Sequence, residues 1–409
     1  MKKLWIITIL LITPAAKGWS QSGILPVQPI PSLSLDTLSF AGFDQVFPDA
    51  TNPVIRVVGA GTTSFTAGEA VRFSNKLIQY LVLEKGFRSI ALLRDDWELR
   101  KLNNWLTDGS PILEEEERRL IQRSFDHSTY GNEDLVELLK WLKAFNSGHP
   151  NDPVSLKGLN FSEPMTPAHL LAKYVFPADS LSGIAITDKR SRWLDDDGAY
   201  DDILNWFRQK KEAIKQRLTG REYAELQTDL INLEYLRKFP ASTETSVINY
   251  FDSCLALNVI RFSDDQKKLI VCADNSFIAR TLMRTDRIRI RIRKNLGTFL
   301  DGKLGKTYYV SLTDYYDRAD LFWIDPATGQ SKEVQRFSDT ASTAWLLHQN
   351  HHITGGMVRY EDLVRFNIPI FFNVHSLYAD HTSPEALPGM IAFDMLAVFA
   401  DEHAVKMIR

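Results

Sequence analysis

Residues 54–93 read VIRVVGAGTTSFTAGEAVRFSNKLIQYLVLEKGFRSIALL, and this stretch decides the fold. Val54 to Val58 form a short β-rich run closed by Gly59-Ala60-Gly61. Apolar residues then recur at helical spacing from about Gly68 to Glu84, and Gly86 marks the stop. Ser89 to Leu93 is an apolar run short enough to be a buried strand. Strand, helix and second buried strand in that order predict a parallel sheet covered by helices on both faces.

The same alternation continues outward. Helices are expected at Asp95 to Leu106, Glu114 to Arg123 and Asn132 to Phe145, with a third strand at Val154 to Gly158. From Thr166 to about Arg261 the pattern turns to long, charged helical periodicity, read as a helical insertion. Strand character returns at Lys267 to Ala273, Thr307 to Leu312, Ile368 to Phe372 and Ala392 to Phe399. The expected fold class is therefore α/β, with a layered α/β/α core, a mostly parallel sheet and a helical insertion over about 166–261. The domain spans 54–409. Upstream, residues 21–53 are rich in Pro, Ser and Gln and read as an extended leader or linker.

Residues 1–20 carry Lys2 and Lys3, an apolar run from Leu4 to Thr13, and small residues at Ala15, Ala16, Gly18 and Ser20. This is the pattern of a signal peptide cleaved before Gln21, since spanning a bilayer takes about 18 or more apolar residues. It predicts export, to the periplasm or outside the cell. A net charge of −3 argues against nucleic acid as a partner, and nothing after the signal resembles a transmembrane segment. Cys254 and Cys272 could form at most one bridge.

Two strand ends carry the candidate chemistry. Gly59-Ala60-Gly61-Thr62-Thr63-Ser64 would lie where open α/β sheets place their ligand crevice, although a Thr/Ser helix cap would explain it equally well. Asp274-Asn275-Ser276-Phe277 follows the strand ending at Cys272, so Asp274 is either a base or ligand contact, or an Asx-type cap. Histidine is absent before His127, which removes an imidazole base from the first two strand ends. His348, His351 and His352 raise the question of a metal, but adjacent histidines diverge, and no metal site is expected. No cofactor fingerprint and no Gly-x-Ser-x-Gly elbow is present. Arg287 to Arg293 alternates Arg with Ile, which suits a charged edge strand or an anion-binding stripe.

Taken in order, several segments resemble the erythromycin esterase family. They are Val57 to Thr63, Leu77 to Arg88, Glu133 through Trp141 to Asn146, Leu255 to Val259, Ala273 to Phe277, Asn295 to Leu300 with Gly305 to Tyr309, and Phe393 to Leu396. The resemblance covers nearly all of the chain from residue 54. It implies an α/β core with a helical insertion, a polar cleft at the strand ends that takes a small polar ligand, and ester hydrolysis in which histidines and carboxylates activate water.

The residues that would do this are changed. Where the family's first motif has the form Gly-Glu-x-x-His, this chain has Ala60 in place of the Glu and Thr63 in place of the His. Glu69 stands near the motif's later glutamate. Leu93 falls where the second strand carries a carboxylate. Phe251-Asp252 and Leu257-Asn258 replace Arg-Asp and Glu-Asn, and Asp274 and Phe277 replace two histidines around a retained Asn275. Loss of one positioned base removes about 10² to 10⁴ in rate. The expectation is a binding or scaffold protein without the family's hydrolysis, with Thr62, Thr63, Asp274 and Asn275 lining the cleft. The alternative is a hydrolase with a rebuilt site using Asp274 or Glu69 as base, with His127 nearby.

Overall fold

In a computed structural model of the chain, the residues described are 24–47, 55–108, 114–125, 128, 130–162, 165–192, 198–239, 244–264, 267–280, 283–284, 292–324, 331–340, 342–370, 373 and 393–407. Their strands are β1 (Val57–Thr62), β2 (Ser89–Asp95), β3 (Ser155–Asn160), β4 (Leu269–Asp274), β5 (Met283–Arg284), β6 (Ile292–Arg293), β7 (Tyr308–Ile324), β8 (Ser331–Phe337), β9 (Gly356–Arg359) and β10 (Met395–Glu402). The main sheet has the order β3-β2-β4-β1-β7-β10-β9, with β8 paired to the far part of β7. Pairing is parallel from β3 through β10; β9 and β8 are antiparallel. This is the mostly parallel α/β sheet expected from the sequence.

Alternate residues of the central strands feed two cores. Val58, Ile270 and Cys272 face one of them, with Phe73, Leu77 and Leu81 from the helix Gly68–Glu84. Val57, Val271 and Ala273 face the other, with Leu255 and Val259 from the helix Glu244–Asp264. The two cysteines are buried and free, Cys272 in the first core and Cys254 in the second. Helix Gly68–Glu84 stops where the sequence places its stop, at Gly86 with φ +69°, and the Phe87 amide turns back to the Leu81 carbonyl at 3.0 Å.

Two sequence expectations change. β1 runs on through Gly59-Ala60-Gly61 to Thr62, so the glycines lie inside a strand and the turn starts at Thr63. Close packing explains their use: a Cβ at Gly59 would stand 2.3 Å from Ile278 Cγ2, and one at Gly61 2.6 Å from Leu312 Cδ2. The second change concerns the segment 21–53, read as a leader or linker. Residues 24–47 are largely extended, yet they belong to the packed body, where Phe43 is fully buried and Phe47 lies 4.1 Å from the Tyr309 ring. Lys76 fastens this segment. Its buried ammonium donates to the Ser34 carbonyl at 3.0 Å, to Gln79 Oε1 at 2.8 Å and to the Thr37 carbonyl, and burial lowers its pKa.

Between β3 and β4 the chain passes through helices that include Met165–Leu170, Gly198–Arg217, Gly220–Arg237 and Glu244–Asp264. Part of this region has its own apolar cluster, built on residues such as Leu171, Ile203, Phe207 and Leu233. A buried ion pair joins it to the sheet layer. Arg100, on the helix Asp96–Thr107, makes two bonds to Asp229 at 2.5 and 2.8 Å and two to Asp96 Oδ2 at 3.1 and 3.3 Å. His169 Nε2 lies 3.5 Å from Asp229 Oδ2, its ring stacked 4.9 Å from Trp97.

Candidate functional site

The chain leaves β1 toward the helix Gly68–Glu84 in the first core and leaves β4 toward Ile278 and Leu296 in the second. Connections that diverge to opposite faces open a crevice at the carboxyl ends of the strands between them. Thr62 and Asp274 are register partners at that point. The two segments singled out from sequence are therefore brought together.

Their side chains are mostly inside the protein. Thr62, Thr63 and Asn275 are 0%, 2% and 3% exposed. The Thr63 hydroxyl lies 3.2 Å from Glu402 Oε1 and 3.0 Å from the Thr313 hydroxyl, and its amide donates to the latter at 2.8 Å. Asn275 Nδ2 donates to the Thr313 carbonyl at 2.6 Å. Neither cap reading applies. Ala67 precedes the long helix without a side-chain cap, and Asp274 stands at the N-cap of the turn Asn275–Ile278 without capping it. Asp274 is half-buried, and its Oδ1 and the Thr62 hydroxyl lack hydrogen-bond partners. Beneath Thr62, between Tyr130 and Cys272, is an internal cavity of about 30 Å³, room for no more than a water molecule.

The acids around this point share one electrostatic condition. Burial pushes Asp274 up to about 7, with only the Phe65 amide acting against it. Asp314, fully buried on β7, is pushed up to about 7 by burial, although Asn373 donates to it at 2.8 Å. Glu402, at the end of β10, is raised well above the usual carboxyl range by burial and by Asp314, and its Oε2 has no partner. Asp95, at the end of β2, is raised by burial despite hydrogen bonds from Ser162 and from Trp97 Nε1 at 3.2 Å.

Three of these acids escaped the sequence reading. Asp314 and Glu402 lie beyond Leu312 and Phe399, where the apolar runs end. Counting along a regular strand puts Leu93, and not Asp95, at the end of the second strand. The pairing of β2 with β3 shifts between Leu92 and Asp95, an irregularity that carries the strand two residues further and ends it on a buried carboxyl. A carboxyl therefore does close the second strand. The apolar-to-polar step at Leu93-Arg94-Asp95 was the available signal.

Other candidates lie apart from the crevice. Glu69 accepts from Arg72 Nη2 at 2.7 Å and pairs with His403 Nδ1 at 3.0 Å; its side chain is mostly covered and that of His403 is exposed. His348 stacks 4.0 Å from Tyr316 and bonds the Ile353 carbonyl through Nδ1, while His351 meets Phe366 edge-on. No group of three or more His, Cys, Asp or Glu able to hold a metal occurs among the described residues. His127 and residues 285–291 of the Arg/Ile stretch lie outside the described residues, as does the apolar N-terminus.

The sequence profile of the erythromycin esterase family matches residues 82–351, well over half of the chain. The chain belongs to the erythromycin esterase family. The match begins after β1, so the first motif, with Ala60 and Thr63, lies outside it. Among solved structures, a Bacillus cereus protein is similar at 15% identity, with a TM-score of 0.67, covering 87% of this chain and 90% of its own. An erythromycin esterase mutant in its open conformation is similar at 15% identity and TM-score 0.66, covering 94% and 100%. A succinoglycan biosynthesis protein follows at 15% and 0.61, covering 87% and 90%. At such identities these likenesses speak to the fold. No curated protein matches the chain.

Proposed function

We propose that this member of the erythromycin esterase family lacks the family's catalytic histidine and glutamate set and acts as an exported, non-catalytic binding or scaffold protein. One observation carries the reading. Thr63, at the position where the family resemblance puts the catalytic imidazole, is buried and occupied by Thr313 and Glu402. A general base must reach the proton that it moves. A threonine hydroxyl does not titrate near neutrality, and this one faces inward. Any small polar ligand at the crevice would meet Asp274, the half-buried member of the four expected lining residues. Export to the periplasm or beyond rests on the signal-like residues 1–20.

A second reading, ester hydrolysis at a rebuilt site, is favoured by Asp274 itself. Its Oδ1 has no hydrogen-bond partner, and its pKa of about 7 suits a general base at neutral pH. Turnover of a macrolide lactone and of simple esters, measured for the native chain, Asp274→Ala and a preparation blank, separates the two. The first reading expects no product above blank from either protein. Product that is lost on Asp274→Ala would overturn it and establish the second.

A further inference from the structure

Strand β8 has an open edge. Around Arg318 and Ala319, β7 pairs with two strands at once, β10 through Asp401 and Glu402 and β8 through Phe337 and Arg336. These occupy opposite edges of β7, so β8 takes the edge that β1 holds further back, where pairing ends at Ala60 and Ser311. Side chains fill that edge between the two strands. Asn275 Nδ2 donates to the Thr313 carbonyl at 2.6 Å, and Asn373 Nδ2 to the Tyr315 carbonyl at 2.8 Å. Among the described residues, β8 itself pairs on its β7 side only.

The phase of the ladder decides which backbone groups face outward. The Ser338 amide donates to the Asp317 carbonyl at 2.9 Å, directly across in the register. Such pairs recur at every second residue of an antiparallel ladder, so Lys332, Val334 and Arg336 turn their amides to β7. Glu333, Gln335 and Phe337 turn theirs away, and no hydrogen bond from a described residue reaches those outward groups. Strand addition requires such a row.

Side chains alternate in the same rhythm. Lys332 and Arg336 share one face with Val334 between them, and neither cation has a carboxylate at ion-pair distance among the described residues. Asp320, across on β7, is held instead by Arg318 at 3.8 Å and by Gln335 Nε2 at 3.0 Å. Phe337, on the other face, is 66% exposed. A strand laid along this edge sets its side chains opposite those of β8, where opposite charges favour pairing. The complement of Lys332, Val334 and Arg336 is acid-x-aliphatic-x-acid, which reads the same in both directions.

We propose that β8 is a docking edge for an extended acidic peptide, added as a further strand with its acids opposite Lys332 and Arg336 and an aliphatic residue opposite Val334. Fluorescence anisotropy of labelled Thr-Glu-Thr-Val-Thr-Glu-Thr with the native chain tests it. Saturable binding that weakens with salt is expected, and the same peptide with Lys for Glu should bind about tenfold or more weaker. N-methylation of alternate peptide amides, in both phases, should abolish binding in one phase only, and that phase reports the direction of the added strand. Gln335→Pro removes an outward amide that β7 does not use and should weaken binding about tenfold or more, whereas Gln335→Thr should retain it. Lys332→Glu should weaken it as well, and thermal melts matching the native chain establish that the variants are folded. The readout is binding, so the outcome is independent of any turnover at the crevice. No saturable binding by the native chain, binding unchanged by N-methylation in both phases, or affinity unchanged in Gln335→Pro and Lys332→Glu would overturn the proposal. So would a dimer of the peptide-free chain that Gln335→Pro dissolves, since the edge would then belong to a second copy.

Discussion

Asp229 and Asp314 are both buried aspartates, and their surroundings send them in opposite directions. Burial acts to raise both. At Asp229, hydrogen bonds from His169 and Arg100 and the Arg100 charge outweigh it and hold the carboxyl below its usual range. At Asp314 the donors are the neutral Asn373 side chain and the Tyr315 and Asn373 amides, and the carboxyl is pushed up to about 7. The linked pH windows are therefore opposite. Asp229 contributes stability above its unfolded-state pKa that is lost as pH falls through the lower folded value. Asp314, Asp274 and Glu402 contribute stability that is complete below their unfolded pKa values and lost as pH rises through the folded ones. Between these two aspartates, the Arg100 guanidinium bonded to Asp229, for which Asp314 has no counterpart among its donors, separates the regimes.

The largest effect is expected at the ion pair. Arg100→Met leaves Asp229 buried without its guanidinium and should cost about 3–5 kcal/mol in denaturant unfolding at pH 7. A loss below about 1 kcal/mol would mean that His169 alone satisfies Asp229. Next, the native chain should be less stable at pH 8 than at pH 5, and Asp314→Asn should flatten that slope by on the order of 2–4 kcal/mol. Parallel pH profiles for the two proteins would break the contrast between Asp229 and Asp314. The smallest effect is expected at Asp274, which is half-buried with an idle oxygen. Asp274→Asn should be near neutral at pH 5 and raise stability by about 1 kcal/mol at pH 8, read from melting curves at both values. Destabilisation at pH 8 would show that the carboxylate has a partner in solution.

Local signals served well where one element explains itself. The helix Gly68–Glu84 and its stop at Gly86, and the buried run from Ser89, follow from residues within one or two turns of each other. The family resemblance was likewise readable, because it rests on the order of short segments. Site residues were harder. Asp95 needed the irregularity in β2, since counting along a regular strand puts Leu93 at its end. Asp314 and Glu402 needed the lengths of β7 and β10, which exceed the apolar runs that announce them.

The sequence by itself determined the strand–helix alternation, the helical insertion's periodicity, and the threonine that stands where the family's catalytic imidazole is expected. Composition and spacing are local properties, so one chain suffices to read them. Tertiary structure decided that Gly59 and Gly61 lie within a strand, because Ile278 and Leu312 crowd them from far along the chain. It also decided that residues 24–47 join the core around Lys76, and that Arg100 meets Asp229 across 129 positions. The protonation of the strand-end acids belongs with these. A carboxyl's charge depends on the water and cations left around it after packing, and no short stretch of sequence carries that information.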